Sequence, residues 1–202
     1  MTARSRPYPS PGYAVRVPRP LWQVALATVR DYGTRGNERG SYGSEAIVFL
    51  GGVVAGDEMV VTSLYRLGHA PQGDRVVVTR EESRWLIREL RTRDEKLVCQ
   101  LHSHRNLAGH SPGDDAWATS FHEGFLSIVV PFFGRDVAAP AECAIFEYRA
   151  GEFVALGVGE VERRIQIYEM IAERKGATAT EKEETGWRAF VRKLRSIAHR
   201  RR

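Results

Sequence analysis

The sequence predicts an α/β sandwich built as a single domain. Short apolar runs with β-branched members alternate with stretches whose apolar residues recur at helical spacing. Apolar residues make up 43% of a 202-residue chain, enough for one sizeable core with appendages. No run reaches the roughly 18 apolar residues that a membrane-crossing helix needs. No apolar stretch follows Arg4 and Arg6, so no secretory leader is expected. Cys99 and Cys143 both lie in strand-like runs, which predicts two buried thiols in a reducing cytoplasm.

The elements follow in order. Five of the nine prolines fall in the first twenty residues, which predicts an extended arm outside the core. Leu21 to Tyr32 predicts a helix with Trp22, Ala25, Leu26 and Val29 on one face. Residues 33–44 are glycine-rich and predict a loop leading to Glu45. Strands are expected at 46–55 and 58–67, joined by a turn at 55–58. Arg75 to Thr79 is strand-like. Glu81 to Arg93 predicts a helix with Trp85, Leu86 and Leu90 inward. Further strands are expected at 96–101, near 125–132, at 142–148 and at 152–157. Residues 160–174 predict a helix carrying Val161, Ile165, Ile167, Tyr168 and Ile171. The chain thus divides into an arm over 1–20, a domain over 21–160 and C-terminal helices over 161–202.

The chemistry concentrates in Leu101-His102-Ser103-His104 and Ser111-Pro112-Gly113-Asp114. Side chains at i and i+2 of a strand share a face, so His102 and His104 project together, roughly 7 Å apart at their α-carbons. Ser103 points to the other face. Ser111 reads as an N-cap, with Pro112 at the first helical position and Asp114 at the third. That helix would run to Glu123 and stop at Gly124. Strand end, loop and helix start can converge, making Asp114 a third ligand beside His102 and His104. Three protein ligands and an open position describe a hydrolytic zinc site. The same Ser-Pro-Gly-Asp stretch is also a sound helix start with no metal.

A zinc hydrolase needs a carboxylate that takes a proton from water and passes it to the leaving amine. Glu45 is the leading candidate, because it opens the apolar run Ala46–Leu50, which ends in Gly51 and Gly52. A charge at the mouth of a buried strand is well placed to meet a neighbouring strand's end. An exposed pre-strand acid is the plain alternative. Glu38, Glu58 and Glu123 open no such strand.

Together these residues resemble the JAB/MPN metalloproteases, whose JAMM motif is a Glu, then His-Ser/Thr-His, a spacer and Ser-x-x-Asp. The resemblance covers roughly residues 21–160, with Gly124–Pro131 similar to the next core strand of bacterial members. It implies a cytidine-deaminase-like mixed sheet sandwiched by helices. It implies one zinc ion held by His102, His104 and Asp114, with Glu45 as general acid/base and Ser111 as the oxyanion donor. The implied reaction is cleavage after the C-terminal glycine of a ubiquitin-like protein, in deconjugation or precursor processing. E1-like and E2-like proteins are the implied companions. The spacer is six residues where the family has seven, so Asp115 competes with Asp114 as ligand; Asp114 keeps the Ser-x-x-Asp spacing. Arg105 stands where the family often has proline. Processing of a sulfur-carrier protein is the second enzymatic reading. A non-catalytic scaffold or a nucleic-acid-associated domain is the third.

The last sixteen residues carry seven Arg or Lys and no acid, so the net charge of +5 belongs largely to them. Trp187, Phe190, Val191, Leu194, Ile197 and Ala198 fit one helical face. Such a helix either docks on the domain with a solvated arginine end or meets nucleic acid, an anionic surface or an acidic partner. The docked form is favoured.

Overall fold

The computed structural model describes residues 7–34, 43–67, 77–107, 109 and 122–170. In chain order these form β1 (Val15–Pro18), α1 (Arg19–Thr34), β2 (Ile47–Ala55), β3 (Glu58–Arg66) and α2 (Arg80–Thr92). Then come β4 (Lys96–Ser103), β5 (Leu126–Val130), β6 (Ala144–Arg149), β7 (Glu152–Ala155), α3 (Val158–Arg164) and β8 (Ile165–Tyr168). The strands make one mixed sheet in the order β7-β6-β5-β4-β2-β3-β1-β8. The chain divides into two compact units, Met1–Ile167 and Tyr168–Arg202. Among the described residues no helix is long and apolar enough to cross a membrane.

The centre of the sheet is β4, which runs antiparallel to β2 and parallel to β5. Every residue of β4 after Lys96 is buried. Burial on both faces explains why Leu97–Leu101 reads as a mainly apolar run, interrupted at Gln100, with no alternation. On one face α2 packs Leu86 and Leu90 against Phe49, Tyr65, Leu97 and Phe125. On the other, α1 buries Leu21, Trp22, Ala25, Leu26 and Val29. A full capping box starts α2: Glu82 N–H donates to Thr79 Oγ1 at 3.2 Å, and Thr79 N–H to Glu82 Oε2 at 3.1 Å. The Gly51-Gly52 pair does not end β2; β2 runs on through it, and the neighbours bulge there, with Thr62 of β3 and Val98 of β4 as the extra residues. The register shifts there against both neighbours. A Cβ on Gly52 would lie 2.3 Å from the Val60 carbonyl oxygen, so glycine is required.

Three expectations are corrected. The proline-rich stretch is not wholly an arm, because its end forms β1, with Val15 and Val17 buried beside β3. Two prolines bracket that strand's exit: Pro18 ends it and Pro20 sits in the first turn of α1, where a missing N–H costs nothing. Residues 77–79 are not a strand; they lead into the Thr79 cap. The helix expected over 160–174 stops at Arg164 and becomes β8. Ile165 and Ile167 repeat at a spacing of two, and the β-branched pair serves an edge strand beside β1. The helix expected from Ser111 lies outside the described residues up to position 121; beyond it, His122–Gly124 form a turn.

Arg164 turns inward at the end of α3. Its Nη2 donates to Glu147 Oε1 at 2.7 Å, and its guanidinium lies 4.7 Å from the Tyr13 ring centre. Both charges are almost fully buried. Removing Arg164 takes away one of the two guanidiniums that Glu147 holds, the other being that of Arg149, at a cost of up to about 3–5 kcal/mol. Arg164→Met is expected to lose stability on that scale in urea unfolding, while Arg163→Met, at an exposed neighbour, changes it by less than about 0.5 kcal/mol.

Candidate metal centre

The end of β4 carries His102, Ser103 and the first residue beyond the strand, His104. One register pairing and two backbone bonds hold it. His102 pairs with Ile47 of β2. Ser103 N–H donates to Ala46 O at 2.9 Å, and His104 N–H to Val130 O of β5 at 2.9 Å. Because β4 and β5 run parallel, the two histidines sit at the carboxyl end of a parallel pair, where open α/β sheets gather their ligands.

The alternation of side chains assigns the faces. His102 shares a face with its partner Ile47, and Ile47 packs against the α2 cluster. Glu45 stands two residues before Ile47, so the same period of two would set it on the His102 side, with its neighbour Ala46 bonded to Ser103. Ser103 and Ala46 point the other way. There Ser103 Oγ, fully buried, accepts the Ala46 N–H at 3.1 Å. The middle residue of the His-Ser-His run thus fastens the residue next to Glu45. Glu45 and His104 are half-buried, and His102 is 6% exposed.

The two imidazoles have ring centres 5.0 Å apart and planes inclined by 58°. Two imidazoles bound to one tetrahedral zinc at about 2.0–2.1 Å would place their ring centres roughly 5 Å apart. The pair therefore fits one ion. Among the described residues no group of three His, Cys, Asp or Glu side chains is gathered to hold a metal. Ser111, Asp114 and its competitor Asp115 lie outside the described residues. Cys99 is fully buried on the opposite face from His102, and burial pushes its thiol far above the usual range. Burial likewise pushes the Cys143 thiol up to about 12, so neither cysteine is poised as a thiolate.

A turn after β5 supports the second histidine. Pro131 is followed by Phe132, Phe133 and Gly134, all with positive φ, at 51°, 54° and 76°. Left-handed backbone at a non-glycine residue costs on the order of 1–3 kcal/mol. The surroundings impose it: Phe133 N–H donates to His104 O at 2.8 Å, and Phe132 N–H to Asn106 O at 3.0 Å. From α1, Arg30 Nη2 donates to Gly134 O at 2.8 Å, and Trp22 Nε1 to Ala138 O at 2.7 Å. Nothing in the local sequence announces this turn, because a Phe-Phe pair disfavours left-handed backbone.

No family model matches the chain. The probable metalloprotease y4jG of Sinorhizobium fredii is 32% identical over 127 residues, spanning 60% of this chain and 74% of that protein. The chain belongs to the family of that relative. The solution structure of protein DSY2949 from Desulfitobacterium hafniense aligns with a TM-score of 0.56 over 77% of this chain and 94% of the other. Sequence identity there is 18%, so the likeness is one of fold.

Ser103→Ala removes the acceptor of a buried N–H. The expected loss is about 1–3 kcal/mol in urea unfolding, because the Ala46 amide is left unsatisfied. Ser103→Thr, which keeps the hydroxyl, is expected to recover most of it.

Proposed function

We propose that the protein is a zinc-dependent metallopeptidase of the JAMM type. The observation that carries this reading is the pair of imidazoles at the end of one strand, ring centres 5.0 Å apart, with Ser103 between them bonded to Ala46, the residue after Glu45. The family tie to a protein named a probable metalloprotease supports a peptidase in particular.

His102 and His104 would supply two ligands, and Asp114 the third. A zinc ion held there supplies Lewis acidity and a nucleophilic water at neutral pH. Glu45 would take a proton from that water and return it to the departing amine, the general-base and general-acid roles of one carboxylate. Its position two residues before β2 suits this work, since the bond from Ala46 N–H to Ser103 Oγ ties the adjoining residue to the end of β4. Ser111 would donate to the carbonyl oxygen as negative charge develops on it. The substrate class follows from the resemblance of the motif: a peptide or isopeptide bond after the C-terminal glycine of a ubiquitin-like protein. E1-like and E2-like proteins would be its companions.

Glu45→Gln is expected to keep one zinc per chain and to slow peptide hydrolysis at least a hundredfold. His104→Ala is expected to lose the metal, read by elemental analysis of the purified protein. Asp114→Ala should lose zinc while Asp115→Ala retains it. A folded wild-type chain that takes up no zinc would overturn the proposal.

A further inference from the structure

The Phe133 ring is the point at which two otherwise separate segments meet. A Cβ built on Gly33, near the end of α1, would lie 2.2 Å from Phe133 Cβ and 2.5 Å from its Cγ. A Cβ on Gly43, two residues before Glu45, would lie 2.8 Å from Phe133 Cε2 and 2.3 Å from the Gly33 carbonyl oxygen. The ring is therefore gripped at its root by Gly33 and along its edge by Gly43, and the two glycines touch each other. Gly43 is left-handed, with φ of 70°, and Ser44 N–H donates to Tyr32 O at 3.2 Å. These contacts seat the chain just before Glu45 on the end of α1. The same Phe133 bonds through its backbone N–H to the carbonyl of His104.

We propose that Phe133 is a positioning residue that fixes the Glu45 segment relative to the His104 strand end. The proposal rests on the reading of those two residues as base and metal ligand. It gives the left-handed Phe132-Phe133 turn a purpose. Only that backbone lets one residue aim its N–H at His104 O while sending its ring, 5% exposed, between Gly33 and Gly43. The Ser103–Ala46 contact joins Glu45 to the histidines from the sheet side, and Phe133 joins them from the α1 side. Two independent ties hold a spacing that a single hydrogen bond would leave loose. General-base catalysis tolerates little error in that spacing.

The test uses the full chain, first without metal. Amide hydrogen exchange is followed in Phe133→Leu and in Gly43→Ala. Both variants are expected to speed exchange at Ser103 and Phe133 at least tenfold beyond the change at Leu50 and Cys99, which lie in the same strands away from the contact. Acceleration that is uniform along β2 and β4 would make Phe133 a plain core filler and overturn the proposal, as would none. Should Gly43→Ala fail to fold, Phe133→Leu decides alone. Zinc competition with a chromophoric chelator then separates the two readings. Phe133→Leu is expected to weaken zinc binding at least tenfold, and Gly43→Ala, which displaces the Glu45 side, to leave it within twofold. Loss of selectivity in exchange sinks the positioning role whatever zinc does; a wild-type chain without zinc sinks the metal reading and leaves exchange to decide the coupling.

Discussion

The register between β2 and β4 is the constraint on which the rest of the structure turns. A strand's side chains alternate with period two, so a slip of one residue would send Glu45 to the face opposite His104. Two features pin the register. The bulge at Val98 of β4, opposite Leu50-Gly51, absorbs one shift at the far end, and the Ser103 hydroxyl locks the Ala46 amide at the near end. Burial adds weight, since a slip would also turn Phe49 and Val48 inside out. The candidate chemistry thus rests on a backbone contact that no side-chain inventory would show.

Much of this was legible in the sequence where the signals are local. The β2–β3 hairpin, α2, and β4 through Leu101 all follow from runs and turn residues close in the chain. The nearness of the two strand mouths was legible too, since Ile47 pairs with His102. What escaped was long-range. β1 hides among prolines, because its place beside β3 is decided by residues forty positions away. β8 carries apolar residues that also fit a helical face, and only the free edge of β1 selects the extended form. The roles of Gly33 and Phe133 depend on a contact across one hundred positions. Glycine-rich composition pointed to a loop there, without showing that two of its glycines serve close packing.

The site and its supports differ in kind. His102, Ser103 and Glu45 sit at the mouths of central strands, where backbone bonding on both sides limits motion. The Phe132–Gly134 turn is strained and persists because His104, Arg30 and Trp22 all bond to it or to the segment that follows. Strand ends carry the candidate groups, and a strained turn carries the adjustment between them. This division matches the precision that catalytic geometry demands and the tolerance that a turn permits.

The buried Glu147 carboxylate has a consequence for how the unit comes apart. It accepts from Gly12 N–H near one end of the described chain and from Arg164 near the other, while Arg149 pairs with it from its own strand. β1 and β8 lie side by side as well. The first and last segments of the sheet unit are therefore stitched to a common anchor, so neither can fray by itself. Trimming at either side loosens both, and the unit opens as one cooperative block rather than peeling inward from its ends.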